Sequence, residues 1–244
     1  MSTYGQYCPV SQAISVFGER WTPLIIRELM MGSRRFNDIR RGMPLMSPTL
    51  LSQRLRRLEQ EGVIESRPAP DRHGREYHLT PAGEEFRPIV EALGAWGIRW
   101  AKGERGVERD PALVMWDMRR RLDLDRFPPG RTTIMFDYPD ALKGKRYWWL
   151  VVNSGDPEPD LCLSDPGFPV DLKVTMRVQT MVTIWAGNLR IGDAIRNQSL
   201  VMEGPQRLQR AFPSWLKLSM FASVPRPTDA ERRIGHRAAV AAGS

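Results

Sequence analysis

The chain has 244 residues, enough for two small domains, and 41% of them are hydrophobic while 26% are charged. Its formal net charge of +8 favours a polyanionic partner such as nucleic acid. Two cysteines and three scattered histidines are too few for a disulfide framework or a zinc site, so we expect no metal and no other cofactor. No apolar run approaches the roughly twenty residues that cross a bilayer, and residues 1–9 lack a secretory signal. We therefore expect a cytoplasmic protein without membrane insertion.

The positive charge is concentrated in one part of the chain. Residues 34–57 contain seven arginines and one acid, Asp38, which is a local excess of six positive charges. The rest of the chain is nearly balanced. This concentration indicates where a polyanion would bind.

Apolar spacing and capping residues predict four short helices in the first sixty residues. The predicted helices cover residues 10–19, 22–32, 33–41 and 47–61, and most end at a glycine or begin at a cap-plus-proline pair, as at Thr22-Pro23 and Ser47-Pro48. Ser33 is predicted to open the third helix. Glycine or proline between them sets the turns.

The fourth helix is amphipathic at about 100° per residue. Leu51, Leu55 and Leu58 share one narrow face. The opposite face carries hydroxyl, amide and guanidinium groups, from Thr49, Gln53, Arg56 and Gln60, with Ser52 and Arg57 flanking them. Such groups hydrogen-bond base edges and phosphates in a major groove, whereas a merely solvated arginine-rich face is the competing interpretation.

The segment after this helix favours the DNA-binding interpretation. Residues 63–67 and 77–79 read as two short strands joined by a basic, turn-rich loop, which together form a wing. A wing places basic side chains against phosphates or in the minor groove. The predicted DNA-contacting residues are Arg34, Arg35, Asn37, Ser47, Pro48, Thr49, Ser52, Gln53, Arg56, Arg57, Arg72 and Arg75.

A long helix is predicted from the Thr80-Pro81 cap to Trp100. Its apolar stripe, which includes Ile89, Leu93 and Trp96, is wide for a helix packed on so small a core. We expect the part of this stripe that the core does not cover to form the interface of a homodimer.

Residues 5–101 resemble the HxlR-type winged helix-turn-helix regulators. The resemblance lies in Cys8-Pro9-Val10, Gly18-Glu19-Arg20-Trp21-Thr22, Arg35-Phe36-Asn37-Asp38-Ile39, Ser47-Pro48-Thr49-Leu50-Leu51, Gly62-Val63-Ile64 and Tyr77-His78-Leu79-Thr80. It implies a homodimer on double-stranded DNA, with the helix holding residues 47–60 in the major groove and a roughly palindromic operator. The loop around residues 71–75 departs from the proline-rich wings common in the family.

Cys8 has two interpretations. Some relatives use a cysteine at this position to sense oxidants or electrophiles, which would make it a redox site here. The alternative is a small apolar residue that docks the N-terminal segment.

The sequence of the second half of the chain predicts an α+β fold. A helix begins at Asp110-Pro111, and strand-like runs follow at residues 132–137, 146–153, 160–163, 170–178 and 181–185. The alternation in residues 170–178 predicts an antiparallel sheet with one covered face. Helices near residues 189–197 and 205–221 are expected to cover that face.

Residues 110–222 resemble the sterol-carrier-protein type 2 fold. The resemblance lies in Tyr147-Trp148-Trp149-Leu150-Val151-Val152, Asp165-Pro166-Gly167, Thr183-Ile184-Trp185-Ala186-Gly187 and Phe212-Pro213-Ser214-Trp215-Leu216. It implies a small hydrophobic effector. The candidate pocket residues are Met176, Met181, Trp185, Phe212, Trp215 and Leu216.

The predicted organisation is therefore a DNA-binding and dimerisation domain (residues 1–104), an effector domain (105–224) and a basic, flexible tail (225–244). An enzyme is not expected, because no phosphate-binding glycine loop, nucleophile elbow or metal cluster occurs in the sequence. RNA binding is disfavoured because no aromatic platform interleaves with the basic residues. Two alternatives to effector control stay open, thiol sensing through Cys8 and a purely structural second domain.

Overall fold

The computed structural model describes residues 7–71, 73–101, 110–228 and 231. The chain divides between Leu93 and Gly94 into two compact units. Residues 104 and 105 and most of the predicted tail lie outside the described residues, so the predicted domain bounds stay predictions. Within the described part, no helix is both long enough and apolar enough to cross a membrane.

The first unit is mostly helical and contains one hairpin. Its elements are α1 (Pro9–Phe17), α2 (Thr22–Met30), α3 (Phe36–Arg41), α4 (Pro48–Gln60), β1 (Ile64–Pro68), β2 (Arg75–Leu79), α5 (Pro81–Glu84) and α6 (Arg87–Trp100), the last of which continues past Leu93. The two strands pair antiparallel, with Ser66 opposite Tyr77.

One apolar cluster holds this unit together. It consists of side chains that are nearly inaccessible to solvent, supplied by α2, α3, α4 and α6, by the turn between α3 and α4, and by the start of the hairpin: Ile25, Ile26, Leu29, Ile39, Met43, Met46, Leu51, Leu55, Leu58, Val63, Ile64 and Val90. Phe17 and Phe86 stack at its edge with ring centroids 4.8 Å apart. Burying a leucine or isoleucine contributes about 1.5–3 kcal/mol, so this cluster fixes how the helices pack.

Two predicted helix starts were wrong. Thr22 lies inside α2, and the preceding Trp21 occupies the N-cap with a left-handed backbone (φ 79°) and without a side-chain cap. Ser33 does not open the third helix, because it is buried and donates a hydrogen bond to the Glu28 carboxylate at 3.0 Å. The helix begins only at Phe36.

The long helix predicted from residue 81 to residue 100 is interrupted. Thr80 accepts a hydrogen bond from the Gly83 amide and caps the four-residue α5, and a new helix starts at Arg87. Pro88 has no amide hydrogen to donate to the Glu84 carbonyl, which ends the first set of helical bonds there.

The second unit is an α+β structure. Its elements are α7 (Ala112–Arg119), a 3₁₀ turn (Leu124–Arg126), β3 (Arg131–Asp137), β4 (Tyr147–Asn153), β5 (Asp160–Cys162), β6 (Leu172–Met176), α8 (Val178–Trp185), α9 (Ile191–Arg196), β7 (Leu200–Glu203) and α10 (Gln206–Trp215). The five strands form one sheet in the order β5–β4–β3–β6–β7.

The sheet has one well-covered face, as the alternation predicted. Leu172, Val174 and Met176 of β6 are buried, whereas Lys173 and Thr175 between them are partly exposed. The sheet is not wholly antiparallel, because β3 and β6 pair in parallel. The other three strand pairings are antiparallel.

The strand predicted at residues 181–185 is wrong, since these residues belong to α8. Val178, Met181 and Trp185 are buried at a spacing of three and four residues, which is helical. The Asp140 carboxylate accepts a hydrogen bond from the Val178 amide at 3.0 Å and so caps this helix from a distant part of the chain. Packing and the cap override the strand preference of its β-branched residues.

The last predicted helix is too long, because α10 ends at Trp215. The backbone of residues 215–217 instead pairs with residues 121–123. The Asp123 amide donates to the Trp215 carbonyl at 2.8 Å, and the Lys217 amide donates to the Arg121 carbonyl at 2.9 Å. These bonds hold Leu216 in extended backbone beside Leu122.

Candidate nucleic-acid interface

The helix α4 presents its polar face to solvent. Ser47 accepts a hydrogen bond from the Leu50 amide at 3.3 Å, and Pro48 occupies the first turn, where no amide is needed. Leu51, Leu55 and Leu58 are buried in the core of the first unit. Thr49, Gln53, Arg56 and Gln60 are all exposed on the other side, and Ser52 and Arg57 are partly exposed.

A buried carboxylate braces the helices that come before α4. Glu28 of α2 is inaccessible to solvent and pairs with Arg27 at 2.7 Å, and Arg27 in turn donates to the Gly42 carbonyl at 3.0 Å. A side chain at Gly42 would overlap this carboxylate, since an added Cβ would lie 2.0 Å from the Glu28 Cδ atom. Glycine at position 42 therefore lets the turn after α3 pack directly on α2.

The hairpin after α4 forms a wing, which we define as β1, β2 and the loop of residues 69–74. The Ala69 amide donates to the Gly74 carbonyl at 3.1 Å and closes the loop, and Gly74 has the positive φ (85°) that the turn requires. Ser66 links the wing to α4, because its hydroxyl contacts Glu59 and accepts from Arg75 Nε at 2.9 Å.

The predicted contact residues Arg34 and Arg35 have partners within the protein. Arg34 donates to the Leu29 carbonyl at 2.6 Å, and its own carbonyl accepts from the Tyr77 amide at 2.8 Å. Arg35 donates to Asp71 of the wing loop at 2.6 Å. This hydrogen bond raises the pKa of Arg35 and lowers the pKa of Asp71, although both side chains are solvent-exposed.

Acids both near the basic segment and distant from it in the sequence pair with several of its arginines. Arg54 pairs with Glu19, and Arg57 pairs with Glu61 at 2.5 Å. Among the described residues, the arginines of segment 34–57 that face no carboxylate are Arg34, Arg40 and Arg56. The i,i+4 spacing of Arg57 and Glu61 is visible in the sequence. The pair of Arg54 with Glu19 is not, because spacing does not show that Glu19 folds back onto the segment.

Four of the remaining predicted DNA-contacting residues lie on the surface. Asn37, Ser47, Pro48 and Arg75 are exposed. Arg72 lies outside the described residues. That the exposed residues meet DNA stays a prediction.

The six candidate pocket residues all lie in the core of the second unit. Each of them is at most 9% exposed and belongs to the same apolar cluster, which lines the covered face of the sheet. Phe127 and Phe212 contact Trp215 from two sides, with ring centroids 4.3 and 6.1 Å away. This burial suits a packed core as well as the wall of an apolar pocket.

The two cysteines lie in different surroundings. Cys8 is partly exposed and occupies the N-cap of α1. Burial and the neighbouring Asp160 raise the pKa of the Cys162 thiol, which disfavours its reactive thiolate. Within the described residues, no three histidine, cysteine or acidic side chains form a metal-binding group.

A short helix, a turn, a second helix with a polar outer face and a following hairpin define a helix-turn-helix protein. The family model described as HxlR-like helix-turn-helix matches residues 16–105. The HTH-type transcriptional regulator YvaP of Bacillus subtilis is 36% identical over 97 residues, which are 39% of this chain and 90% of that protein. The chain belongs to the HxlR-like helix-turn-helix family of transcriptional regulators.

Other relatives match the same part of the chain. The HTH-type transcriptional regulator YodB of Bacillus subtilis is 35% identical over 97 residues, covering 39% of this chain and 87% of that protein. A crystal structure of diamide-treated YodB from the same organism is 34% identical, covers 38% of this chain and 93% of that chain, and has a TM-score of 0.33.

The bracing of α2 against the turn after α3 predicts that Gly42→Ala destabilises the protein. The new methyl group must displace the Glu28 carboxylate from its partners, at a cost of about 1–3 kcal/mol in the free energy of unfolding. Urea denaturation followed by circular dichroism measures this cost. Gly192→Ala is the matched control, since its nearest atom would be the flexible Arg196 side chain at 3.7 Å. Equal stability of both variants would contradict the bracing.

Proposed function

We propose that this transcriptional regulator binds a roughly palindromic operator as a homodimer, with α4 of each copy in the major groove. The observation that supports this most is the exposed row on α4, where Thr49, Gln53 and Arg56 project from a helix seated on buried leucines. An amide at position 53 suits adenine, and a guanidinium at position 56 suits guanine or phosphate. The wing would add phosphate or minor-groove contacts through Arg75 and Arg72.

The dimer proposal rests on α6. Ile89, Leu93, Trp96 and Trp100 recur at intervals of four, three and four residues, which places them along one face of this helix. All four are exposed, Trp96 to 60%. A continuous exposed stripe of large apolar side chains marks an interaction surface. A second copy of α6 offers the same stripe, as a twofold-symmetric interface requires.

We further propose that the second unit is a sterol-carrier-like effector domain that takes a small hydrophobic molecule. The supporting observation is that Met176, Met181 and Trp185 gather with Phe212, Trp215 and Leu216 under one face of the sheet. Methionine and aromatic side chains form adaptable apolar walls. The ligand controls DNA binding if it prefers one arrangement of the dimer over the other. Domain bounds of 1–104, 105–224 and 225–244 belong to this proposal.

Thiol sensing through Cys8 is the second candidate for control. The observation that favours it is the partial exposure of Cys8 at the start of α1, where an oxidant can reach the sulfur. Diamide is the oxidant named for the solved structure of the relative YodB. A purely structural second domain is a separate alternative to effector control.

The DNA proposal predicts that Arg56→Ala and Gln53→Ala each weaken binding to a duplex that the wild type selects from a random pool. Loss of a base contact costs about 1–3 kcal/mol, or roughly tenfold in affinity. Loss of a phosphate contact makes the slope of log affinity against log salt concentration shallower by about one. Fluorescence anisotropy at several salt concentrations measures both. Arg196→Ala, which removes an exposed arginine of α9, serves as the control. If neither α4 variant differs from that control, the assignment of the reading helix is wrong.

The dimer proposal predicts that Trp96→Glu separates the copies. A charged side chain in the centre of an apolar interface would be buried without a partner, which is costly, so the two copies should separate. Sedimentation velocity should show a dimer for the wild type and a monomer for Trp96→Glu. Val201→Glu places the same charge at another exposed apolar position and should leave the dimer intact. A wild type that sediments as a monomer at micromolar concentration rules out this interface.

The two modes of control are separated by one set of DNA-binding measurements, with oleate as the apolar probe and diamide as the oxidant. Effector control predicts that oleate changes operator affinity and raises the melting temperature, equally in wild type, Cys8→Ser and Cys162→Ser. Thiol control predicts a response to diamide that Cys8→Ser abolishes and Cys162→Ser retains. A protein that purifies without any apolar molecule and ignores oleate contradicts effector control.

A further inference from the structure

An acidic side chain lies on the wing loop, within the surface that we propose meets DNA phosphates. Asp71 is exposed, and one of its carboxylate oxygens accepts a hydrogen bond from Arg35 at 2.6 Å. This short distance is typical of a charge-assisted hydrogen bond. A carboxylate at this place repels phosphates, so its presence requires a reason other than attraction to DNA.

The geometry holds both partners of this pair in place. The second carboxylate oxygen of Asp71 accepts from the His73 amide at 3.0 Å, which orients the carboxylate from within its own loop. On the same edge of the guanidinium, Arg35 Nε lies 3.9 Å from Glu76, and the backbones of these two residues form an isolated β-bridge. Arg35 thus faces two acids along its Nε/Nη2 edge.

The strands of the wing are held independently of this pair. Ser66 connects Glu59 of α4 with Arg75, and the Tyr77 amide bonds to the Arg34 carbonyl. Loss of the Arg35–Asp71 contact would therefore release only these two side chains and leave the hairpin folded. Their shared hydrogen bond lowers the pKa of Asp71 and raises the pKa of Arg35.

We propose that Asp71 is a specificity-determining residue that competes with DNA phosphates for Arg35. It occupies the guanidinium as a phosphate oxygen would, and so keeps Arg35 from strengthening binding to arbitrary duplexes. At the same time it ties the wing loop to Arg35, the residue that precedes α3. The inference rests on the proposed DNA-binding surface, and it makes Arg35 a positioning residue instead of a phosphate contact.

The competition predicts that Asp71→Asn binds DNA of unrelated sequence more tightly. One repelling charge disappears and one arginine becomes available, so the slope of log K against log salt should steepen by about 0.9, and affinity should rise about threefold at moderate salt. The ratio of operator to unrelated-sequence affinity should fall. Asp71→Glu, which retains the carboxylate, should restore the wild-type slope. Asp71→Asn combined with Arg35→Ala should lose the steeper slope, because no arginine is freed.

Anisotropy with a selected duplex and a scrambled duplex of equal length tests these expectations. A purely structural Asp71 predicts weaker binding to both duplexes with an unchanged slope, which would overturn the proposal. Identical binding by wild type and Asp71→Asn would overturn it as well. The melting temperature of Asp71→Asn, compared with that of wild type, shows that the variant is folded.

Heparin chromatography makes the test independent of any operator. Asp71→Asn should elute at higher salt than Asp125→Asn, which removes one exposed acid outside the first unit. Equal elution would mean that only net charge changed and that no arginine was released. If wild type binds no duplex while Asp71→Asn elutes late, the operator proposal fails and the competition for Arg35 stands.

Discussion

The orientation of one helix about its own axis determines what the first unit can bind. Leu51, Leu55 and Leu58 are buried together, and turning the helix would exchange them for Gln53 and Arg56. Such a turn would expose three leucines, at about 1.5–3 kcal/mol each, and would bury polar groups without partners. The apolar side therefore fixes the direction of the polar side. A fixed polar surface follows from core packing, without any contact made by the polar residues themselves.

Some arginines of this region form ion pairs within the protein, and others are left to face a polyanion. Arg27 and Arg54 pair with Glu28 and Glu19, and Arg35 pairs with the wing loop. The exposed pair of Arg35 with Asp71 adds little to stability, so its main effect is on position and on local charge. Arg27 differs, because its partner Glu28 is buried. The surface that remains for a polyanion is less positive than the sequence suggests. Placement of a few unpaired groups matters more there than the total charge.

Caps, helix faces and turns that depend on neighbouring residues could be predicted from the sequence. The Ser47 cap, the leucine spacing of α4 and the turn chemistry around Gly74 depend on neighbouring residues, and each occurs where the sequence placed it. The covered face of β6 followed from its period of two. Contacts between residues that are far apart in the sequence could not be predicted. The cap of α8 comes from Asp140, the partner of Arg35 is Asp71, and Gly42 makes room for Glu28.

The central claim is that α4 reads the major groove in two symmetric half-sites, and methylation interference tests it most directly. Dimethyl sulfate modifies guanine N7 in the major groove and adenine N3 in the minor groove. The account predicts that guanine methylation abolishes binding at two positions related by a dyad, about one helical turn or a multiple apart. Interference confined to adenines, or to a single unsymmetrical patch, would contradict it.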